Sequence, residues 1–372
     1  MPILVTNNFP PRRGGIQTMM SRLAECLVAK GHEVIVVGPR EEGSERYDTS
    51  LSYRVVRYAN LGRPLESFAI AAAYLRALRG TRERLTIASV WWPVGLALAL
   101  VPHALRGPLA ILVHGTEVSP GRKGVRRRIM RAVFSRADVI LANSRFTAEL
   151  LRRAGIRGNV RIISLGVDME PVAPARAGVP TVLSVGRLVE RKGFDRMLDA
   201  LPRLRNEFPD LRYEIVGDGP ERKALEERAQ RLGVAAAVTF LGSVAEDGLR
   251  DAYARAWCFA LPVRNVRDDV EGFGIVYLEA AMASLPSLGG IASGAADAIV
   301  EGETGLLVDG TSVDAIVAAL GALLRDRERS EQMGRQGLER ALKFTWMQTT
   351  DQVLAAIPDR AIDSRPKRGA AR

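Results

Sequence analysis

The chain has 372 residues, 47% of them hydrophobic and 26% charged, a composition usual for a soluble globular protein and a length that suits two domains better than one core. Its longest apolar run, Val90 to Leu105, contains Pro93, Pro102 and His103 and falls short of the ~20 residues that a bilayer span needs. The formal charge of +11 is lopsided: residues 1–170 carry 26 Lys and Arg against 13 Asp and Glu, while residues 171–372 carry 27 against 29.

The chain enters a strand at once, at Ile3-Leu4-Val5, with no basic-then-apolar leader, so secretion is not expected. Cys26 and Cys258 lie far apart in apolar surroundings and read as reduced core thiols of a cytoplasmic protein. Further short β-branched runs at Glu33–Val37, Arg54–Val56, Thr86–Val90, Leu109–Val113, Val139–Ala142 and Arg161–Ile163 predict strands, with helices near 15–29, 65–79, 123–135 and 145–153. Alternation of this kind implies a parallel, doubly wound sheet over residues 1–168. Leu165 to Val179 lacks periodicity, and 169–179 reads as a linker. A second alternation over 180–344 starts at Thr181–Val185 and continues at Arg212–Val216, Val238–Leu241, Cys258–Leu261, Ser287–Leu288 and Leu306–Val308. A long helical region follows from Ser312 to Ile357, of which 345–357 is expected to return to the first domain, and 358–372 is a basic tail.

The densest positive charge is Arg122-Lys123-Gly124-Val125-Arg126-Arg127-Arg128, followed by Ile129, Met130, Val133 and Phe134. This places a basic face beside an apolar one on a helix, which can lie on an anionic membrane or be an ordinary solvated face. Nucleic acid is disfavoured as a partner, because aromatics are 6% of the chain and none interleaves with the cluster.

In doubly wound sheets ligands bind at the carboxyl ends of strands, and unusual residues cluster at such ends here. After the first strand, Gly14 and Gly15 precede a helix and can admit a diphosphate to its N-terminus, or form a tight turn. His114 directly follows a buried-looking strand and is the best candidate for a catalytic or sugar-contacting imidazole, a structural histidine being the alternative. His32 and His103 read as structural. In the second half, Gly186-Arg187-Leu188-Val189-Glu190-Arg191-Lys192-Gly193 sets two cations, Arg187 and Lys192, five apart on one loop, where they can grip a pyrophosphate and stabilise its charge as it leaves. Gly217, in Gly217-Asp218-Gly219-Pro220, allows close packing of a base or ribose, or is an ordinary turn. In Glu271-Gly272-Phe273-Gly274-Ile275-Val276-Tyr277-Leu278-Glu279 two acids bracket a glycine loop running into an apolar helix, with Glu279 about two turns in. Carboxylates accepting from vicinal hydroxyls, one pair on a sugar and one on a ribose, would explain the spacing; a capped core helix with two solvated acids would do so too.

The zinc-type Cys/His cluster and the phosphate-loop lysine pattern are both missing from the sequence, and Gly14-Gly15 does not extend to the full dinucleotide-binding pattern. Asp268-Asp269 could hold a divalent cation, but Arg187 and Lys192 make a metal unnecessary, so neither metal nor cofactor is expected.

Together these residues resemble glycosyltransferase family 4, the retaining enzymes of the GT-B fold, in which two Rossmann-like α/β domains with parallel doubly wound sheets face each other across a cleft. The resemblance spans nearly the whole chain, from Phe9-Pro10-Pro11 to Trp346. The pair Phe-Pro-Pro-Arg-Arg-Gly-Gly-Ile-Gln and Asp-Val-Glu-Gly-Phe-Gly-Ile-Val-Tyr-Leu-Glu-Ala is most similar to bacterial phosphatidylinositol-mannoside mannosyltransferases that use GDP-mannose. The resemblance implies that Glu271 contacts the transferred sugar's hydroxyls and Glu279 the ribose, while Gly274, Ile275 and Val276 offer backbone N–H groups to the sugar and phosphate and Gly272 and Phe273 also belong to the donor site. It implies that Arg187 and Lys192 hold the diphosphate, that Gly15 closes over it, that Gly186, Gly217 and Val244 border the donor, and that His114 contacts the sugar. Asn143 and Ser144 match a motif lining the cleft on the acceptor side, with Arg122, Lys123, Arg126, Arg127 and Arg128 serving acceptor or membrane. No protein nucleophile is expected.

Two stretches depart from the family: Ala283-Ser284-Leu285-Pro286 stands where Ala-Cys-Gly-x-Pro is common, and Ser293-Gly294-Ala295-Ala296-Asp297 where Gly-Gly-x-Pro-Glu is common. Both flank the donor's charged grip. The expectation is therefore an enzyme at the inner face of the plasma membrane, moving a hexose, mannose from GDP-mannose before others, onto a lipid-linked or glycan acceptor. The rivals are a UDP-sugar transferase of lipopolysaccharide or exopolysaccharide assembly and a non-enzymatic basic protein that binds nucleic acid or membrane.

Overall fold

Short β-branched and apolar runs of three to five residues build two sheets, buried at their centres and more exposed at their edges. The structure, a computed structural model, describes residues 1–12, 14–62, 65–81, 84–118 and 124–358. By contact the chain divides into two units, one of Met1–Gly166 with the C-terminal stretch from Trp346, the other Val167–Thr345.

The first unit runs β1 (Pro2–Val5), α1 (Gly15–Ala29), β2 (Ile35–Pro39), α2 (Ser44–Asp48), β3 (Arg54–Tyr58), α3 (Glu66–Ala77), β4 (Leu85–Ala88), α4 (Leu96–Ala99), α5 (His103–Arg106), β5 (Leu109–Val113), α6 (Val125–Phe134), β6 (Val139–Ala142), α7 (Arg145–Arg153) and β7 (Val160–Ile162). Its sheet has the order β3-β2-β1-β4-β5-β6-β7, and its central pairs are parallel, with Ile3 opposite both Ile35 and Thr86. β1 and β5 are buried throughout, as a parallel sheet covered on both faces requires.

The second unit runs β8 (Thr181–Val185), α8 (Phe194–Glu207), β9 (Arg212–Val216), α9 (Arg222–Arg231), β10 (Val238–Gly242), α10 (Glu246–Arg255), β11 (Cys258–Leu261), α11 (Val276–Met282), β12 (Ser287–Gly290), α12 (Ala295–Ala298), β13 (Gly305–Val308), α13 (Val313–Arg325) and α14 (Arg327–Ala341). Its sheet order is β10-β9-β8-β11-β12-β13. In each sheet the chain builds outward to one side and then crosses back, so the order reverses between β1 and β4 and between β8 and β11. The crevice at such a reversal is where doubly wound folds bind ligands.

The helical region from Ser312 to Ile357 is three helices, the last being α15 (Trp346–Ala355). Side chains cause the breaks: Ser312 accepts from the backbone N–H of Ala315, and Asp326 from that of Arg329, each capping a new N-terminus. α15 belongs to the first unit, where Asp351 pairs with Lys30, just past the end of α1, at 2.6 Å and Gln352 accepts from the N–H of Ser164 at 2.7 Å. Residues 169–179 are packed onto the second unit. Val172 N–H donates to Met282 O at 2.8 Å, and the Arg176 guanidinium donates to the carbonyls of Ala254, Ala283 and Ser284 at 3.0, 2.9 and 2.8 Å. Burial pulls the Arg176 guanidinium down to about 10. The basic tail from residue 359 on lies outside the described residues. Cys26 and Cys258 are both free thiols.

Candidate active site

The reversal between β8 and β11 puts two loops side by side at the carboxyl edge of the second unit's sheet: Gly186–Gly193 after β8, and Pro262–Ile275 after β11. β8 is anchored from below, since the Ser184 hydroxyl pairs with the Tyr213 hydroxyl at 2.9 Å and with Ala260 O. Gly186 and Gly217 lie together where β8 and β9 end, Gly186 N–H donating to Val216 O at 3.0 Å. Val244 follows β10 at the outer edge of the same sheet.

A short helical turn, Glu190–Lys192, turns Lys192 inward until it is only 7% exposed. Its ammonium lies 2.7 Å from Oε2 of Glu271, and the Arg191 guanidinium meets the same oxygen while its Nε donates to Asp269 Oδ1 at 2.9 Å. Burial works to push the Glu271 carboxyl up, but Lys192 and Arg191 outweigh it and hold it below its ordinary value. Glu271 is thus an ionised acceptor in a place where an unpaired carboxylate would not stay charged. Arg187, on the same loop as Lys192, is exposed, and its side chain makes no hydrogen bond or ion pair among the described residues. One loop pair therefore offers a buried carboxylate, a buried ammonium and an uncommitted guanidinium.

The glycine loop differs from its expected form in one respect. Gly274 has a φ of 83°, so residues 272–275 do not join the helix, which starts at Val276. Glu279 is consequently one turn in, not two. The backbone N–H groups of Gly274, Ile275 and Val276 have no hydrogen-bond acceptor among the described residues, while the Phe273 ring is buried, its centroid 6.3 Å from that of Phe344. Glu279 accepts from the Tyr253 hydroxyl at 2.9 Å, and burial raises its carboxyl above the ordinary value, with Asp168 adding to the rise. Arg191 and Tyr253 were not singled out by the sequence, and Asp269 was weighed there only as half of an Asp268-Asp269 cation site. Arg191 was hidden as one more cation beside Lys192, and Tyr253 as one apolar position of an amphipathic helix.

In the first unit, Gly14 and Gly15 open α1 at the end of the β1 loop. His114 directly follows β5, with its Nε2 2.8 Å from Ser89 O and its backbone N–H donating to Glu117 Oε1 at 2.6 Å. A carbonyl only accepts, so a neutral His114 carries its proton on Nε2 and presents Nδ1 as an acceptor. Asn143 and Ser144 are buried. Ser144 caps α7 by accepting from Thr147 N–H at 2.9 Å, and Asn143 Oδ1 accepts from the Thr147 hydroxyl at 2.8 Å. Of the basic cluster, Arg122 and Lys123 lie outside the described residues. Arg127 donates to Ala154 O at 3.2 Å, just past the end of α7, and the Arg126 guanidinium lies 5.6 Å from the Trp91 ring. Arg128 is exposed.

Residues 13–171 match Glycosyltransferase Family 4, and residues 169–340 match Glycosyl transferases group 1. The GDP-mannose-dependent alpha-(1-6)-phosphatidylinositol monomannoside mannosyltransferase of Mycolicibacterium smegmatis is 38% identical over 95% of this chain and 97% of its own. The chain belongs to glycosyltransferase family 4. A Mycobacterium tuberculosis protein of the same description is 36% identical over 91% of this chain and 92% of its own. The Anabaena protein HepE, solved with UDP and glucose, superposes with a TM-score of 0.78 at 20% identity, covering 95% of this chain and 98% of that one, which shows the GT-B fold. The Ala283–Pro286 departure falls in the turn after α11, where Arg176 binds the carbonyls of Ala283 and Ser284.

Proposed function

We propose that this glycosyltransferase moves mannose from GDP-mannose to a phosphatidylinositol-mannoside glycolipid with retention of configuration. One observation carries the reading: Glu271 is held ionised by Lys192 while Arg187 stands uncommitted on the same loop. Hydroxyls of a hexose need an acceptor, and a diphosphate needs cations; the loop pair supplies both within one strand reversal. Relatives at 36–38% identity over more than nine-tenths of the chain are GDP-mannose-dependent, whereas the UDP-bound neighbour is 20% identical, and this favours the guanine nucleotide and the inositol lipid.

In this reading Glu271 binds mannose hydroxyls and Glu279 the ribose, with backbone N–H groups of Gly274, Ile275 and Val276 against sugar and phosphate. As the bond from the anomeric carbon to the diphosphate oxygen breaks, negative charge grows on the diphosphate, where Arg187 and Lys192 stabilise it. The acceptor hydroxyl attacks on the face that the diphosphate leaves, and a diphosphate oxygen takes its proton. The products are an α-mannoside and GDP, and no side chain is a nucleophile. Nδ1 of His114 accepts from a sugar hydroxyl. Two cations at the leaving group make a metal dispensable, so EDTA should leave turnover nearly unchanged; complete loss restored by manganese would count against this.

The acceptor reaches the enzyme from a membrane in the same reading. Val125, 71% exposed, precedes the arginines of α6, and Phe68 of α3 is 70% exposed, so the first unit turns both apolar and cationic side chains to solvent. Such a surface suits an anionic leaflet and supports a position at the inner face of the plasma membrane. The test is transfer from GDP-mannose and from UDP-glucose to phosphatidylinositol monomannoside in vesicles, with the anomeric configuration read by NMR and nucleotide binding read as a rise in Tm. Transfer only from UDP-glucose, or a Tm rise with UDP alone, would remove the mannosyl reading.

A further inference from the structure

The loops carrying Lys192 and Glu271 hold each other through two arginines, one from each. Arg191 crosses from the first loop to Asp269 and Glu271 on the second. Arg264 crosses back, its two terminal nitrogens donating to Asp195 at the start of α8 at 2.7 and 2.9 Å, with Glu190 at 3.6 Å. Arg264 is 7% exposed, and a charge so enclosed is tolerated only when fully paired. Between the two crossings the backbones join, Arg264 N–H donating to Arg191 O at 2.8 Å. The approach is close enough to require glycine at 193: its φ is 79°, and a Cβ there would fall 2.4 Å from Pro262 O.

This clamp also sits on a strained turn. Val266 and Asp269 exchange both backbone hydrogen bonds, at 3.0 and 2.9 Å, and Arg267 inside the turn has a φ of 53°. A side-chain-bearing residue stays in that region only where its surroundings over-determine it. Arg191 supplies such a constraint by gripping Asp269, the turn's last residue.

Lys192 and Arg191 share Oε2 of Glu271, yet they are not equivalent. An ammonium is a compact point charge that reorients freely, whereas a guanidinium is a rigid fork, and here the fork is also tied to Asp269. When a diphosphate enters, Lys192 is the cation free to turn to it. We propose that Arg191 is a positioning residue that holds the Glu271 carboxylate in place for the sugar while Lys192 engages the diphosphate, with the Arg264–Asp195 pair fixing the distance between the two loops. The inference rests on the donor reading above. The groups facing Glu271 are Lys192, Arg191 with Asp269 behind it, and the Tyr277 hydroxyl of α11. With Lys192 drawn to phosphate and Arg191 removed, burial is the dominant influence and drives the carboxyl upward.

GDP lacks the transferred sugar and therefore reads the diphosphate grip alone. Arg191→Gln should keep GDP affinity by calorimetry within about threefold. It should lower kcat by about 10- to 100-fold, the scale seen when a group that orients another is lost. The acid limb of its kcat profile should move to higher pH, and Arg191→Lys should recover part of kcat. Asp269→Asn removes the anchor, keeps both cations, and should show the same split more weakly; it decides the matter if Arg191→Gln does not fold. Normal kcat and an unmoved acid limb in a folded variant overturn the inference, as does a parallel loss of GDP affinity, which would make Arg191 a phosphate ligand. A wild-type protein that neither binds GDP nor turns over GDP-mannose would instead sink the donor reading itself.

Discussion

Tyr253 donates its phenolic hydrogen to Oε2 of Glu279 at 2.9 Å, from a ring wholly enclosed by the second unit's core. The bond fixes one oxygen of a carboxylate that burial makes reluctant to ionise; in the proposed donor reading the other oxygen meets the ribose. A core residue on α10 thereby sets the geometry of a group on α11.

Tyr253→Phe keeps the ring and deletes only that donor. A hydrogen bond to a charged group contributes about 1.5–3 kcal/mol, so urea denaturation should show a loss of that order. The KM for GDP-mannose should rise as well, because Glu279 loses both its orientation and part of its charge. Unchanged stability together with unchanged KM would mean that the pair has no role.

Glu271 and Glu279 should titrate with opposite consequences for stability. Glu271 is depressed in the folded protein, because Lys192 and Arg191 overcome burial, so its contribution is present at neutral pH and is lost as pH falls through its folded value. Glu279 is raised by burial, so its ionisation disfavours the folded state, and that cost disappears as pH falls through its raised value. Glu271→Gln should destabilise at pH ~7 and do so less at pH ~4, whereas Glu279→Gln should be neutral or stabilising at pH ~7, with the difference fading on acidification. Urea midpoints at the two pH values check the signs. The same sign for both variants would refute the pairing described here.

The sheets were legible in the sequence because buried parallel strands are largely unbroken apolar runs: β5, β6 and β11 fall where those runs lie. The breaks between α13, α14 and α15 were not, since Ser312 and Asp326 look like ordinary polar residues until their side chains cap an N-terminus. Glu271 and Glu279 stood out through their spacing, but the helix start was misplaced because nothing in the sequence fixes the φ of Gly274. Arg191 and Arg264 stayed hidden for another reason. Each pairs with acids on the opposite loop, such as Arg264 with Asp195, 69 residues away in the chain, and no local pattern encodes such a crossing.

Ser284 carries strain that a single change should release. It has a φ of 52°, and counting back from Pro286 it occupies the glycine position of the family motif Ala-Cys-Gly-x-Pro. A left-handed conformation costs a side-chain-bearing residue about 1–2 kcal/mol, and glycine's freer unfolded chain returns about 0.4–1 of that. Ser284→Gly should therefore stabilise by up to about 1 kcal/mol without altering kcat. A lower Tm in that variant would show that the Ser284 side chain contributes more than its backbone costs.

Arg187 separates binding from folding more cleanly than Lys192 does. It is exposed and has no ion pair among the described residues, so Arg187→Ala should leave Tm unchanged. Transition-state stabilisation should fall by about 2–4 kcal/mol, as when one preorganised donor is lost. Lys192→Ala should lower both, since it strips Glu271 of a buried partner. Normal turnover in Arg187→Ala would take the diphosphate grip away from this loop.

The arginines of α6 divide in the same way, and the structure changes which of them should be tested. Arg127 donates to Ala154 O past the end of α7, so its replacement removes a structural bond along with a surface charge. Arg126 lies over Trp91 and Arg128 is exposed, so Arg126→Gln with Arg128→Gln removes charge while leaving that bond in place. The double variant should sediment less with anionic vesicles and show a higher KM for the lipid acceptor, while GDP affinity stays within about twofold, because the proposed nucleotide grip is on residues of the other unit. Each cation near an anionic surface contributes roughly 1 kcal/mol, which puts the loss at about tenfold or more in vesicle affinity. Salt should erase the difference, because the Debye length falls from ~10 Å at 0.1 M to ~3 Å at 1 M. The apolar part should persist under those conditions: Val125→Ser and Phe68→Ser remove side chains that are 71% and 70% exposed and should weaken binding at high salt as well. Equal sedimentation of wild type and the arginine double variant at low salt would leave α6 as a solvated face and move the acceptor's entry elsewhere.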